Sequence, residues 1–152
     1  MIPIVQLNDF EIVPMEECHL DDVLIIENGY SANPWSRELF IRELENRFSY
    51  NFILKNLNNI IGFTNFWALF EVIELNNIAL KEECRGKGFG SKFLEFIIES
   101  SKVLNAKRIF LEVSNNNLAA YNLYRKTGFI DIGIRKKYYK NGSDAILMEK
   151  IL

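Results

Sequence analysis

The chain has 152 residues, 49% of them hydrophobic, which is close to the usual size of one domain and enough for a sizeable core. Lysine and arginine number 18 against 20 aspartates and glutamates, and the net charge of -2 gives nucleic acid or an anionic membrane no electrostatic attraction. No apolar run is long enough to cross a bilayer, residues 1–6 lack a charged signal-type start, and no repeat, low-complexity tract or linker interrupts the chain. A single domain over 1–152 is expected, in the cytoplasm and away from membranes. Two cysteines, Cys18 and Cys84, lack metal-ligand spacing and read as reduced thiols.

Phe10 to Met15 reads as a first strand. Leu20, Val23, Leu24 and Ile26 recur at helical spacing, and Asn28-Gly29 ends that helix. Asn33-Pro34-Trp35-Ser36 opens a second helix, running to about Arg47. Tyr50 to Leu57 is a strand turning at Asn58-Asn59; Ile60 to Leu69 and Val72 to Leu80 are two more. A helix from Gly88 or Phe89 to Leu104 carries the stripe Phe93, Leu94, Ile97, Ile98. Arg108 to Val113 is a strand, and Asn117 to Lys126 a helix closed by Gly128. Phe129 to Tyr139 and Asp144 to Leu152 form a last hairpin about Asn141-Gly142. Strands come in a run and then alternate with helices. This predicts an α/β (α+β) fold: a mixed, mostly antiparallel sheet of about seven strands flanked by about four helices.

The segment Cys84-Arg85-Gly86-Lys87-Gly88-Phe89-Gly90 lies where a strand passes into a helix. Unpaired amides and the positive end of the helix dipole meet there, and glycine lets that backbone approach a bulky anion. A phosphate or pyrophosphate cradle is expected, against the plainer reading of a tight turn. A P-loop is set aside because Gly90 is followed by Ser91-Lys92, not by Lys-Ser or Lys-Thr. The Gly-x-Gly-x-Gly spacing, placed after antiparallel strands, argues against a Rossmann site.

Strand alternation puts Ile109, Leu111 and Val113 on one face and Phe110 with Glu112 on the other. A carboxylate within so apolar a strand is either salt-bridged or functional, and the pattern leaves these two level. Asn117, Tyr121 and Tyr124 share a helix face, where ordinary packing is the simpler reading. Cys84 reads as a small buried residue, and His19, the only histidine, as a surface or capping residue; neither supports a nucleophile–base pair.

Arg85-Gly86-Lys87-Gly88-Phe89-Gly90 is similar to the Arg/Gln-x-x-Gly-x-Gly/Ala pattern of the GCN5-related N-acetyltransferases. Asn77-Ile78-Ala79-Leu80 before it, Leu111-Glu112-Val113 after it, and Asn117, Ala119-Ala120 and Tyr124-x-x-x-Gly128-Phe129 agree. Asn33-Pro34-Trp35-Ser36, Arg135-Lys136-Lys137-Tyr138-Tyr139 and Asp144-Ala145 resemble the RimI type, the ribosomal-protein alanine N-acetyltransferases. The resemblance covers nearly the whole chain.

It implies acetyl-CoA as cosubstrate and no metal. The pyrophosphate would lie on Arg85, Gly86, Lys87, Gly88, Phe89, Gly90 and Ser91, with pantetheine along Ile78, Ala79 and Leu80 and a further contact from Asn117. Glu112 falls on the general base and Tyr124 on the general acid, while Trp35 and Tyr138 border the acceptor groove. The implied reaction is direct attack, in a ternary complex, by the N-terminal α-amine of a protein, an N-terminal alanine of a ribosomal protein among them. A monomer or weak homo-oligomer is expected. Transfer to a lysine or small amine, or a non-catalytic acetyl-CoA-binding module, are the alternatives. The presence of both Glu112 and Tyr124 counts against the last.

Overall fold

The computed structural model describes residues 2–7 and 9–152. In chain order the elements are β1 (Val5–Leu7), β2 (Phe10–Pro14), α1 (Leu20–Tyr30), α2 (Arg37–Glu45), β3 (Ser49–Asn56), β4 (Asn59–Leu69), β5 (Val72–Leu80), α3 (Phe89–Val103), β6 (Arg108–Ser114), α4 (Leu118–Lys126), β7 (Ile130–Arg135) and β8 (Ala145–Ile151). The strands make one sheet in the order β1-β2-β3-β4-β5-β6-β8-β7. Among the described residues only β5 and β6 pair in parallel; every other neighbour is antiparallel.

Apolar periodicity decides which face each helix covers. The α3 stripe buries Phe93, Leu94 and Ile97 completely, against Phe52, Phe66, Ile109, Leu111 and Val113, with Tyr124 and Phe129 at the α4 end. Leu20, Val23 and Ile26 of α1 and Phe40 of α2 cover the other face, over Ile53, Phe63 and Ala79. Cutting Phe93 to alanine, at the centre of the larger cluster, would cost about 3–5 kcal/mol in transfer and cavity terms. Ser36 caps α2, its Oγ accepting the Leu39 N–H at 3.2 Å.

The parallel pair parts early. Its last partners are Leu75↔Leu111. Beyond them β5 runs on from Asn76 to Leu80 hydrogen-bonded on the β4 side only, and β6 from Glu112 to Ser114 on the β8 side only. A cleft opens between the diverging ends, and β5 also carries a bulge there, at Asn76.

Four details differ from the sequence reading. An eighth strand, β1, pairs with β2 through Val5↔Ile12 and Leu7↔Phe10; three residues carry too little pattern to be read alone. Helix α1 continues to Tyr30, because Gly29 stays helical instead of terminating it. The β3–β4 turn is Leu57-Asn58, both at positive φ as a two-residue primed turn needs, one place earlier than Asn58-Asn59. Strand β7 ends at Arg135, not Tyr139. Asp144 Oδ1 accepts the Lys137 N–H at 2.9 Å, and the turn around Asn141-Gly142 is nested inside a longer loop.

Candidate active site

The diverging strands, the end of α1, the segment after it, the start of α4 and the β7–β8 loop enclose a cleft of about 940 Å³. It brings together Ile78, Arg85, Glu112, Asn117 and Tyr124, and Trp35 and Tyr138 also line it. Glycine-loop residues 86–91 lie outside its walls, as does Ala79, which faces the cluster beneath α1 and α2. Ala79 can therefore offer a ligand only main-chain groups. Leu80 packs against the larger core.

The loop has the form of an anion cradle. Gly86 and Gly88 have φ of +72° and +86°, and a Cβ added at either would point into open space. Gly88 caps α3, whose first intrahelical donor is Lys92 N–H to Gly88 O at 3.2 Å. The amides of Phe89, Gly90 and Ser91 are therefore turned outward with the positive end of the helix dipole. Phe89 is tied down by stacking on Phe10, with ring centroids 6.1 Å apart. Arg85 donates from Nε and a terminal nitrogen to Leu80 O at 3.2 and 3.1 Å, which fixes the strand-to-loop corner. Gly88→Ala would force alanine into the left-handed region at about 1–2 kcal/mol and place a methyl in the cradle. Coenzyme A affinity measured by calorimetry is expected to fall at least tenfold; an unchanged affinity would remove the loop from the cofactor site.

Glu112 projects from β6 as alternation requires, its neighbours Leu111 and Val113 buried on the opposite face. Its Oε1 is 3.4 Å from Arg135 Nε, and the Arg135 guanidinium lies over the Tyr138 ring at 5.5 Å. The salt bridge and the cleft position, level alternatives by pattern, are thus both present. Tyr124 is buried at 5% exposure against Phe129, at the cleft wall. Burial, and then the neighbouring Tyr30 and Tyr139 phenols, push its hydroxyl well above the ordinary tyrosine range. Tyr121 turns away and donates to Asp131 Oδ2 at 2.9 Å, a packing role as expected. Asn117 caps α4: its Oδ1 accepts the Ala120 N–H at 3.2 Å and its Nδ2 donates to Tyr30 Oη at 2.8 Å. Half-buried Cys84 packs on the core, and His19 takes part in a capping box, Nδ1 accepting the Glu16 N–H at 2.9 Å.

Sequence reasoning missed three residues here. Tyr30 reaches the cleft because α1 runs on through Asn28-Gly29 to Tyr30 itself. It joins Asn117 to Arg85, whose guanidinium lies 5.3 Å from its ring centroid. Tyr139 lies beside Tyr138 in an aperiodic loop, where nothing indicates which ring points inward. Burial, and then the Glu112 charge, push its phenol up to about 12. Glu27 is fully buried beneath the cleft rim, with Oε2 accepting the Trp35 N–H at 3.4 Å. Its Oε1 and Asn77 Nδ2 are buried atoms that meet no partner among the described residues. Isolated in the α1 pattern, Glu27 looks like any surface glutamate.

A one-sided strand edge leading to an amide-lined anion cradle suits a long, phosphate-bearing cosubstrate, and a carboxylate and a phenol at its inner end suit transfer of a group from it. The Acetyltransferase (GNAT) family profile matches residues 20–129, and the chain belongs to that family. A protein of Bacillus subtilis (strain 168) with the provisional name ribosomal protein bS18-alanine N-acetyltransferase is 34% identical over 131 residues, 85% of this chain and 87% of its own. The crystal structure of the ribosomal-protein-S18-alanine N-acetyltransferase from Escherichia coli matches with a TM-score of 0.86 at 29% identity, covering 93% of each chain. A GNAT family acetyltransferase from Elizabethkingia anophelis, solved with acetyl-CoA bound, matches at 0.76 and 25% identity over 96% of this chain and 100% of its own. The protein is an acetyl-CoA-dependent N-acetyltransferase. Among the described residues no group of three or more acidic, histidine or cysteine side chains could hold a metal ion, and no helix is long and apolar enough to cross a membrane.

Proposed function

We propose that this enzyme, one domain over residues 1–152, acetylates the N-terminal α-amine of a protein, an N-terminal alanine of a ribosomal protein. The same reading puts it in the cytoplasm, where ribosomes are assembled. The observation that carries it is the meeting of Glu112 and Tyr124 in a cleft whose acceptor side is walled by Trp35, Tyr138 and Tyr139. The likeness to alanine N-acetyltransferases supports the choice of amine.

Acetyl-CoA supplies an activated acetyl group as a thioester. Glycine-loop amides would hold its pyrophosphate and the one-sided β5 edge its pantetheine. Glu112 takes the proton from the attacking amine, directly or through a water. Amides near Ile78–Leu80 receive the negative charge that develops on the carbonyl oxygen. Tyr124 gives its proton to the leaving sulfur. No side-chain nucleophile is needed for attack in a ternary complex. Freeing a neutral amine at pH 7 costs about 1 kcal/mol for an α-amine but about 4.6 kcal/mol for a lysine, so one modest base serves the α-amine.

A peptide panel read by mass spectrometry tests the acceptor. Alanine-starting peptides without lysine are expected to gain one acetyl group and N-terminally blocked ones none. Preferred modification of blocked lysine peptides or polyamines would move the activity to those amines.

A further inference from the structure

Asn76 is the extra residue of the β5 bulge, where the β4 partners step from Asn65↔Asn77 to Phe66↔Leu75. It is also the first β5 residue beyond the last parallel pair, as Glu112 is on β6, so the two face each other where the strands part. Both line the cleft.

The Asn76 amide is oriented from behind. Its Nδ2 donates to Asn65 Oδ1 at 2.8 Å, and among the described residues no donor meets its Oδ1. Asn65 is fully buried; its Nδ2 donates to Asn51 Oδ1 at 2.6 Å and Ser49 Oγ at 2.7 Å, with Glu43 Oε2 further off at 3.4 Å. Glu43 Oε2 also accepts Trp67 Nε1–H at 2.7 Å. The Glu43 main-chain carbonyl accepts from Asn51 Nδ2 at 3.2 Å, which turns Asn51 Oδ1 toward Asn65. The Glu43 main-chain carbonyl, which can only accept, therefore decides through Asn51 which end of Asn65 is nitrogen. Asn65 is left with an oxygen for Asn76, and Asn76 must answer with its NH₂ and turn its own oxygen to the cleft.

We infer that Asn76 binds the acceptor: its Oδ1 receives the first main-chain N–H of the acceptor peptide while the preceding α-amine lies at Glu112. The inference rests on the proposed α-amine reading and adds how a peptide is told from a bare amine. The strands lie about 4.8 Å apart at their last pair and part beyond it, and one residue spans about 3.8 Å, so with the reach of the Glu112 and Asn76 side chains an amine at one strand puts the next amide N–H near the other. That N–H gives up water on entering the cleft and needs a new acceptor. A lysine side chain has no amide one residue from its amine.

The test is a two-by-two comparison of kcat/KM. The natural enzyme and Asn76→Ala are each assayed with the alanine-starting peptide and with the same peptide N-methylated at its first amide. Each single change is expected to lower kcat/KM about tenfold, mainly through peptide KM, and the two together to lower it no further. Acetyl-CoA KM and a thermal melt show that Asn76→Ala has folded. Methylation at the second amide, with the natural enzyme, controls for bulk. Additive losses, or equal tolerance of both methylated peptides by the natural enzyme, would overturn the assignment while leaving α-amine transfer intact. If no N-terminal peptide is acetylated, the α-amine reading falls and this inference with it.

Discussion

Glu112→Gln is expected to lower kcat by about 10²–10⁴-fold with the KM for acetyl-CoA little changed, the range for losing a positioned general base. Glutamine keeps the size and can still accept a hydrogen bond from Arg135, which in the natural protein lies 3.4 Å from the carboxylate. It cannot take up the amine's proton. Tyr124→Phe is expected to fall by a comparable factor, because the ring and its contact with Phe129 remain and only the hydroxyl is lost. The raised Tyr124 phenol adds a pH expectation. Its donor form persists above pH 10, so the Tyr124-dependent part of kcat should not decline as an ordinary tyrosine would ionise. Full turnover in both variants with an alanine-starting peptide would sink the role assignment. Lost turnover with coenzyme A affinity intact, measured by calorimetry, would uphold it.

The placement of these two residues in the cleft, apart from their roles, followed from the sequence pattern. Glu112 was legible because strand period is strict: with Ile109, Leu111 and Val113 buried, the carboxylate between them had to face the other way. The turn geometry of the glycine loop was legible because Gly86 and Gly88 occupy backbone conformations that side chains resist. Most strands and helices followed from the same periods. Both residue roles came from family likeness, since alternation and helical spacing were equally consistent with a salt bridge and with packing.

The missed residues lie where no period operates. Tyr139 sits in the loop whose shape depends on Asp144 holding the Lys137 amide, a contact between positions seven apart. Asn76 reaches the cleft through a bulge, and a bulge inverts which residues face which side without leaving a compositional mark. Glu27 and Glu43 are buried carboxylates on helices whose remaining pattern is amphipathic. Their burial depends on Trp35 in one case and on Asn65 and Trp67 in the other, partners brought by tertiary packing.

Glu27 gives the largest expected pH-dependent change in stability. It is fully buried, holds one hydrogen bond from the Trp35 amide, and lies near the Tyr30 phenol. Burial pushes its carboxyl up to about 7 from 4.5, and the Trp35 N–H opposes the shift only in part. Below pH 4.5 the folded and unfolded chains both carry the proton, and Glu27's contribution is fully present. As pH rises from there toward 7, the unfolded chain releases its proton while the folded one keeps it, so stability falls. Above 7 both are ionised and the loss, on the order of 3 kcal/mol, is complete. Glu27→Gln stays neutral throughout and keeps an oxygen for the Trp35 N–H. In denaturant melts from pH 4 to 8 the variant should lack this downward slope and become more stable than the natural protein by pH 8, with the two closest at pH 4. Parallel stability curves would mean that Glu27 is not held protonated in the fold. A gap widening toward acid would mean that the carboxylate is stabilised in its charged form by a partner the burial argument omits.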